Sequence, residues 1–262
     1  MITSLYSGAS GMTAQQLKLD TISNNLANAD TTGFKRVRPE FVDLIYQYST
    51  VAGTPVSNQT SMVPTGVYKG LGTRIAATNR IFSEGNLEET DNPLDVAISG
   101  DGFFQIQLQD GSMGYTRDGG IKLDPNGNMI TNTGLPYLPQ VTVPSDAIQL
   151  IIGSDGVVAA ELFDKSVEVL GQFTLVKFIN PSGLQAMGDN IFKATQASGD
   201  PQEGVANQDG FGALRQGYLE KSNVNAVREM VGMISSQRAY ELNSRSIQTA
   251  DDILRTVSGL KR

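Results

Sequence analysis

The chain has no cysteine and no histidine in 262 residues. Without cysteine there is no disulfide, no thiolate nucleophile and no thiolate zinc site. Without histidine the usual imidazole base and the commonest metal ligand are missing. No apolar run approaches the roughly 20 residues of a membrane span. Met1–Ser10 has neither a basic n-region nor a long apolar h-region, so no secretory leader is expected, which taken alone points to the cytoplasm. The formal charge of −7 speaks against broad electrostatic binding of nucleic acid or anionic lipid.

What is present begins with a seam. Leu5, Met12, Leu19 and Leu26 recur every seven residues, with Gly8, Gln15 and Ile22 between them, the spacing of a coiled-coil partner. From Met1 to Ala29 the only charges are Lys18 and Asp20. A helix facing water usually carries many more, so this one is expected to be covered on several sides. Thr3 or Ser4 is the expected N-cap and Gly33 the terminator. Asn24, Asn25, Asn28 and Thr32 lie in poor helix material, so the isolated helix is expected to be marginal. Phe34-Lys35-Arg36-Val37-Arg38 reads as a solvated basic turn.

Leu44 to Tyr68 carries no charge. It reads either as a linker or, given Tyr46, Tyr48, Val51, Val56, Met62 and Val63, as an extended segment that pairs with a neighbour. Beyond it, 28 glycines in the chain and frequent Asp-Gly pairs argue for β structure. Asp95–Ile98 and Phe104–Leu108 read as a hairpin about Ser99-Gly100-Asp101-Gly102. Asp124–Asn128 reads as a tight turn, and Ile148–Ile152, Val157–Leu162, Val167–Leu170 and Phe173–Ile179 as successive strands. From Ser222 a helix of about 35 residues is expected, capped by Ser222, Asn223 or Asn225. It carries one apolar stripe through Val224, Val227, Val231 and Ile234 and another through Tyr240, Ile247, Ala250, Leu254 and Val257.

The expected fold is therefore α+β, with the two terminal helices packed as a coiled coil and a mainly antiparallel β domain inserted between them. The expected boundaries are 1–33 with 220–262 for the helices, 34–70 for an extended connection and 71–219 for the β domain.

Candidate chemistry is sparse. Asp124-x-Asn126-x-Asn128 starts like a calcium loop but lacks Gly at the sixth place and Glu at the twelfth. Gly70-Leu71-Gly72 and Gly100-Asp101-Gly102 precede no helix, so phosphate binding is unsupported. The aspartates at 101, 110 and 118 sit beside glycine in turns, their structural place. No catalytic, metal or cofactor residue is assigned, and no enzyme activity is expected.

Both ends resemble a known family. Leu5-Tyr6-Ser7-Gly8-Ala9-Ser10-Gly11-Met12, Ile22-Ser23-Asn24-Asn25-Leu26-Ala27-Asn28 and Thr32-Gly33-Phe34-Lys35-Arg36 resemble the N-terminal signature of bacterial flagellar rod and hook axial proteins. Leu219–Asn225 and Gln237–Glu241 resemble its C-terminal signature, and Asp95–Phe104 its central hairpin. The opening and the uncharged insert, through Tyr46, Tyr48, Val51, Pro55, Val56, Met62 and Val63, are most similar to members that build the stiff distal rod. The resemblance implies a helical homopolymer that transmits motor torque, with Leu5, Met12, Leu19, Ile22 and Leu26 and Val227, Val231, Ile234, Tyr240, Ile247 and Leu254 in assembly contacts. It implies further partners in the proximal rod proteins, the hook protein and the P- and L-ring proteins. It also implies passage through the flagellar type III export apparatus with no cleaved signal peptide, to a basal body spanning the periplasm. A hook or proximal rod protein of the same family is the alternative. From another class, a glycan-binding or hydrolytic β domain on a helical stalk also fits the layout.

Overall fold

Among the described residues, 2–53 and 64–259 of a computed structural model, one helix precedes and one follows a succession of short strands in the chain, an α+β layout. The residues fall into two units. One holds Met1–Leu26, Val37–Asn79 and Ala226–Arg262, and the other holds Ala27–Arg36 and Arg80–Asn225.

In the first unit, α1 spans Ile2–Ala27 and α2 spans Ala226–Gly259. They run antiparallel at close range. A Cβ placed on Gly8 would lie 2.9 Å from Ile247 Cγ1, one on Gly11 2.9 Å from Asn243 Nδ2, and one on Gly232 3.4 Å from Ile22 Cδ1. Numbers rise on one helix as they fall on the other. At 100° per residue, Gly8, Gly11, Ile22 and Asn25 share one face of α1. Leu5, Met12, Leu19 and Leu26 form a flanking stripe, roughly 80° away, and are half-buried.

The start and stop of α1 differ from expectation. It begins at Ile2, so Thr3 and Ser4 lie inside the helix and not at its cap. It ends at Ala27, well before Gly33; just beyond it Thr31 N donates to Asn28 O at 3.3 Å and the Thr31 hydroxyl to Asn28 Oδ1 at 3.2 Å, a turn in place of the helix. Gly33 closes the turn that follows, at φ +67°, a conformation that favours glycine.

Among the described residues, four strands complete this unit: β1 (Val37–Asp43), β2 (Tyr46–Thr50), β3 (Val67–Gly70) and β4 (Thr73–Arg80). β1 pairs with β4 and β2 with β3. Of the uncharged stretch, Tyr46–Thr50 and the start of β3 are thus strand, with Tyr48 opposite Tyr68 in the register. Their rings meet edge-on at 5.3 Å.

The second unit begins with β5 (Leu87–Glu89), β6 (Val96–Ser99), β7 (Phe103–Gln107) and β8 (Met113–Thr116). β9 (Lys122–Leu123) and β10 (Met129–Ile130) form the hairpin expected around Asp124–Asn128, and β11 (Tyr137–Leu138) pairs with β7. Three of the four successive strands expected here, β12 (Ala147–Ile152), β13 (Val157–Leu162) and β14 (Val167–Gln172), make an antiparallel meander, and the fourth joins another sheet. Then come β15 (Thr174–Lys177), β16 (Gln185–Gly188), β17 (Ile191–Lys193), β18 (Gln202–Val205), β19 (Ala213–Gln216) and β20 (Tyr218–Glu220). The main sheet runs β16-β17-β8-β7-β15-β18.

β7 sits at its centre and is buried on both faces. Phe104 and Ile106 join a core with Val96, Ile98, Val158 and Leu175, while Phe103 joins Tyr115, Val176, Phe178 and Phe192 on the other side. The expected hairpin between Asp95–Ile98 and Phe104–Leu108 does not form. β6 pairs with β19, and β7 with β8, β11 and β15. Gly100 at φ +111° and Gly102 at +144° carry the chain from one sheet to another, a path only glycine follows freely.

Candidate assembly interface and a buried ionic cluster

The two stripes expected on α2 meet different fates. Ile247 packs on Gly8, Ala250 is buried and Leu254 is half-buried, so the middle of the second stripe faces α1, while Tyr240 and Val257 at its two ends are exposed. Val227, Val231 and Ile234 lie on the opposite side of α2, about 165° around the axis, and are 72%, 63% and 52% exposed. Nothing among the described residues covers that ridge. The face turned to α1 is not purely apolar: Glu229 and Ser236 are buried along it as well as Ala250. On α1, Ile22 is buried and Leu5, Met12, Leu19 and Leu26 keep part of their surface in solvent. Tyr6, Ala9, Ser10 and Thr13 line an open groove of about 380 Å³ beside Thr73 and Ile75.

The insert is the most exposed part of the first unit. Every residue of β2 and β3 is exposed, including Tyr46, Tyr48 and Tyr68, and Val51 follows at 54%. Two-stranded ribbons are marginal in water unless something covers one face. Pro55, Val56, Met62 and Val63 lie outside the described residues.

The motif residues divide by role. Asn25 is buried; its Nδ2 donates to Val37 O at 2.8 Å and to Glu229 Oε2 at 3.3 Å, and its Oδ1 accepts from Val37 N at 3.0 Å. Asn24 is exposed and Asn28 half-buried. In the second unit, the Thr32 hydroxyl donates to Asp118 Oδ1 at 3.0 Å. A Cβ on Gly33 would lie 2.8 Å from Asp118 N, so backbone meets backbone there. Phe34 is buried, with the Arg80 guanidinium 5.7 Å above its ring.

The basic stretch after it is no solvated turn. Lys35 is fully buried, and its ammonium donates to Glu220 Oε1 at 2.5 Å and to Ser83 O at 2.8 Å. Arg117 Nε donates to Glu220 Oε2 at 2.8 Å, and its Nη2 to Ile98 O and Gly100 O. One carboxylate therefore serves two buried cations and also accepts from Gly85 N at 2.7 Å. Burial and the nearby Arg117 charge push Lys35 down to about 8, against the pull of Glu220. Beside this triad Asn223, expected as a helix cap, binds elsewhere. Its Oδ1 accepts from Arg36 N at 2.7 Å and its Nδ2 donates to Ile81 O at 2.9 Å and Ser83 O at 3.1 Å. Glu220 and Asn223 stand in the C-terminal signature and Lys35 in the N-terminal one, yet spacing gave no sign that they meet.

Comparison with known proteins agrees with the resemblance of both ends. Residues 5–35 match the family described as "Flagella basal body rod protein", residues 97–160 "Flagellar hook protein FlgE/F/G D1 domain", and residues 215–260 "Flagellar basal body rod FlgEFG protein C-terminal". The flagellar basal-body rod protein FlgG of Borreliella burgdorferi is 48% identical over 265 residues, covering 100% of both chains. That of Buchnera aphidicola from Schizaphis graminum is 47% identical, covering 99% of this chain and 100% of its own, and that of Bacillus subtilis 39%, covering 100% of both. Among solved structures, Helicobacter pylori flagellar hook protein FlgE2 aligns over 71% of this chain and 43% of its own at 14% identity and a TM-score of 0.24, too little to argue from.

Proposed function

Since the chain belongs to the FlgG family of flagellar basal-body rod proteins, we propose that it is the structural subunit of a rigid, hollow distal rod that carries motor torque to the hook. The observation that carries this reading is the placement of the α2 ridge. Val227, Val231 and Ile234 lie opposite the face that meets α1 and are largely exposed, so a second subunit is needed to remove them from water. The terminal helices form the lining of the bore and wind as a coiled coil in the polymer. The half-buried Leu5, Met12, Leu19 and Leu26 join the ridge in contacts between copies. Stiffness then comes from many repeated contacts spread over a large area.

The β2–β3 ribbon, with the insert that follows β2, packs against neighbouring subunits and straightens the polymer. Proximal rod and hook proteins adjoin the two ends, and the P- and L-rings surround it. The subunit reaches the periplasm through the flagellar type III export apparatus, and its role is mechanical, without catalysis.

Val231→Asp tests the reading. The monomer should keep its circular dichroism spectrum, because Val231 is 63% exposed on the side of α2 away from α1, while polymerisation followed by sedimentation and electron microscopy should fail. Normal rods from this variant would defeat the assignment.

A further inference from the structure

The chain passes between its two units at 26/27, 36/37, 79/80 and 225/226, the first two at either end of the short segment 27–36. Just inside the second unit, the three segments that lead to these points are fastened to one another. Ile81 N donates to Arg36 O at 2.9 Å, Arg80 Nη1 to Lys35 O at 3.3 Å, and Lys221 N to Asn86 O at 2.8 Å. Two side chains reach all three segments. Asn223 accepts from Arg36 and donates to Ile81 and Ser83. Glu220 accepts from Lys35 and Gly85, and from Arg117 at the end of β8.

We propose that Glu220 and Asn223 form a single clasp that makes these three leads open and close together, so that a pull or twist arriving along one is shared among all.

The chemistry supports a cooperative device over three independent contacts. Lys35 and Glu220 are wholly buried and Arg117 nearly so. If one lead departs, the remaining charges stay buried with a partner missing, which is far costlier than losing a pair from the surface. Withdrawing the Lys35 segment leaves a Glu220 oxygen short of its strongest donor. Withdrawing the Glu220 segment leaves two cations facing each other. A buried pair of this kind adds little net stability but specifies which segments meet. The amide of Asn223 adds direction, since donor and acceptor ends engage different leads.

The inference concerns the monomer and does not depend on how copies associate. It is tested by hydrogen exchange with mass spectrometry on the full chain, comparing wild type with Glu220→Gln and with Asn223→Ala. The second variant removes no charge and sits at a half-exposed position, so it guards against a failure to fold. Exchange at residues 34–36, 81–85 and 219–223 should accelerate together by roughly ten- to a hundred-fold, the factor that follows from losing charge-assisted hydrogen bonds. The central strand β7 should keep its protection. Acceleration confined to residues 219–223 in both variants would show three independent attachments and overturn the proposal. So would loss of β7 protection in step with the leads in both variants, because the cluster would then be an ordinary part of the core.

Discussion

The Asn25 side chain bonds Val37 as a neighbouring strand would, giving its N–H to the carbonyl at 2.8 Å and accepting from the amide at 3.0 Å. Carbonyl and amide of one residue are both satisfied by a helix side chain, which fixes where β1 starts relative to α1. The third bond, to Glu229 on α2, ties the same amide to the second helix.

Asn25→Ala should lower stability by about 2 kcal/mol, because buried backbone groups lose their partners. Asn25→Asp should cost more. The carboxylate cannot donate to Val37 O and stands beside Glu229. Urea unfolding of the three proteins checks the order, and an Asp variant as stable as the Ala variant would contradict it.

The helix contact predicts opposite outcomes at two glycines. At Gly11 a Cβ meets the free end of the Asn243 side chain, which can turn away. Gly11→Ala should therefore raise stability by up to about 1 kcal/mol through helix propensity. At Gly8 the Cβ meets Ile247 Cγ1 at 2.9 Å, close to the α2 backbone, so Gly8→Ala should lower the melting temperature followed at 222 nm. Equal shifts at both sites would show that the helices do not approach as described.

Lys35 gives a pH prediction. Desolvation and Arg117 hold it at about 8, Glu220 and Glu84 pulling the other way, against 10.5 when exposed. Between those values the unfolded chain binds more protons than the folded one, so Lys35 makes stability rise with pH from about 8 to 10.5. Below that window both states are charged and the contribution is flat. Urea midpoints at pH 7, 8, 9 and 10 should climb more steeply for wild type than for Lys35→Met, and parallel curves would rule the titration out.

Deleting residues 46–63 removes β2 and leaves β3 without its partner. Polymers of this variant should be curved or flexible under the electron microscope. Straight rods would show that stiffness lies elsewhere.

The sequence disclosed those features whose signal is local. Heptad spacing marked α1, the loss of proline and the two stripes marked α2, and alternation with Asp-Gly turns marked the β12–β14 meander. Pairing partners were less visible. The apolar residues of β6 and β7 alternate about a glycine turn as a hairpin would, and only the positions of β19 and β15, far along the chain, send them to separate sheets. Lys35 read as solvated because its counter-charge lies 185 positions away. The stripe of Val227, Val231 and Ile234 was legible as apolar, but periodicity does not say whether such a stripe meets its own chain or another.

One consequence of that outward ridge concerns kinetics. A contact between unlike faces of identical subunits is never used up by pairing, since each newcomer presents the same open face as its predecessor. The first few encounters bury little surface, whereas a subunit joining an existing end meets several neighbours at once. Growth should therefore show a lag, a critical concentration below which only monomer persists, and abolition of the lag by preformed fragments. The halt, by the same reasoning, must be imposed by something other than the repeating contact.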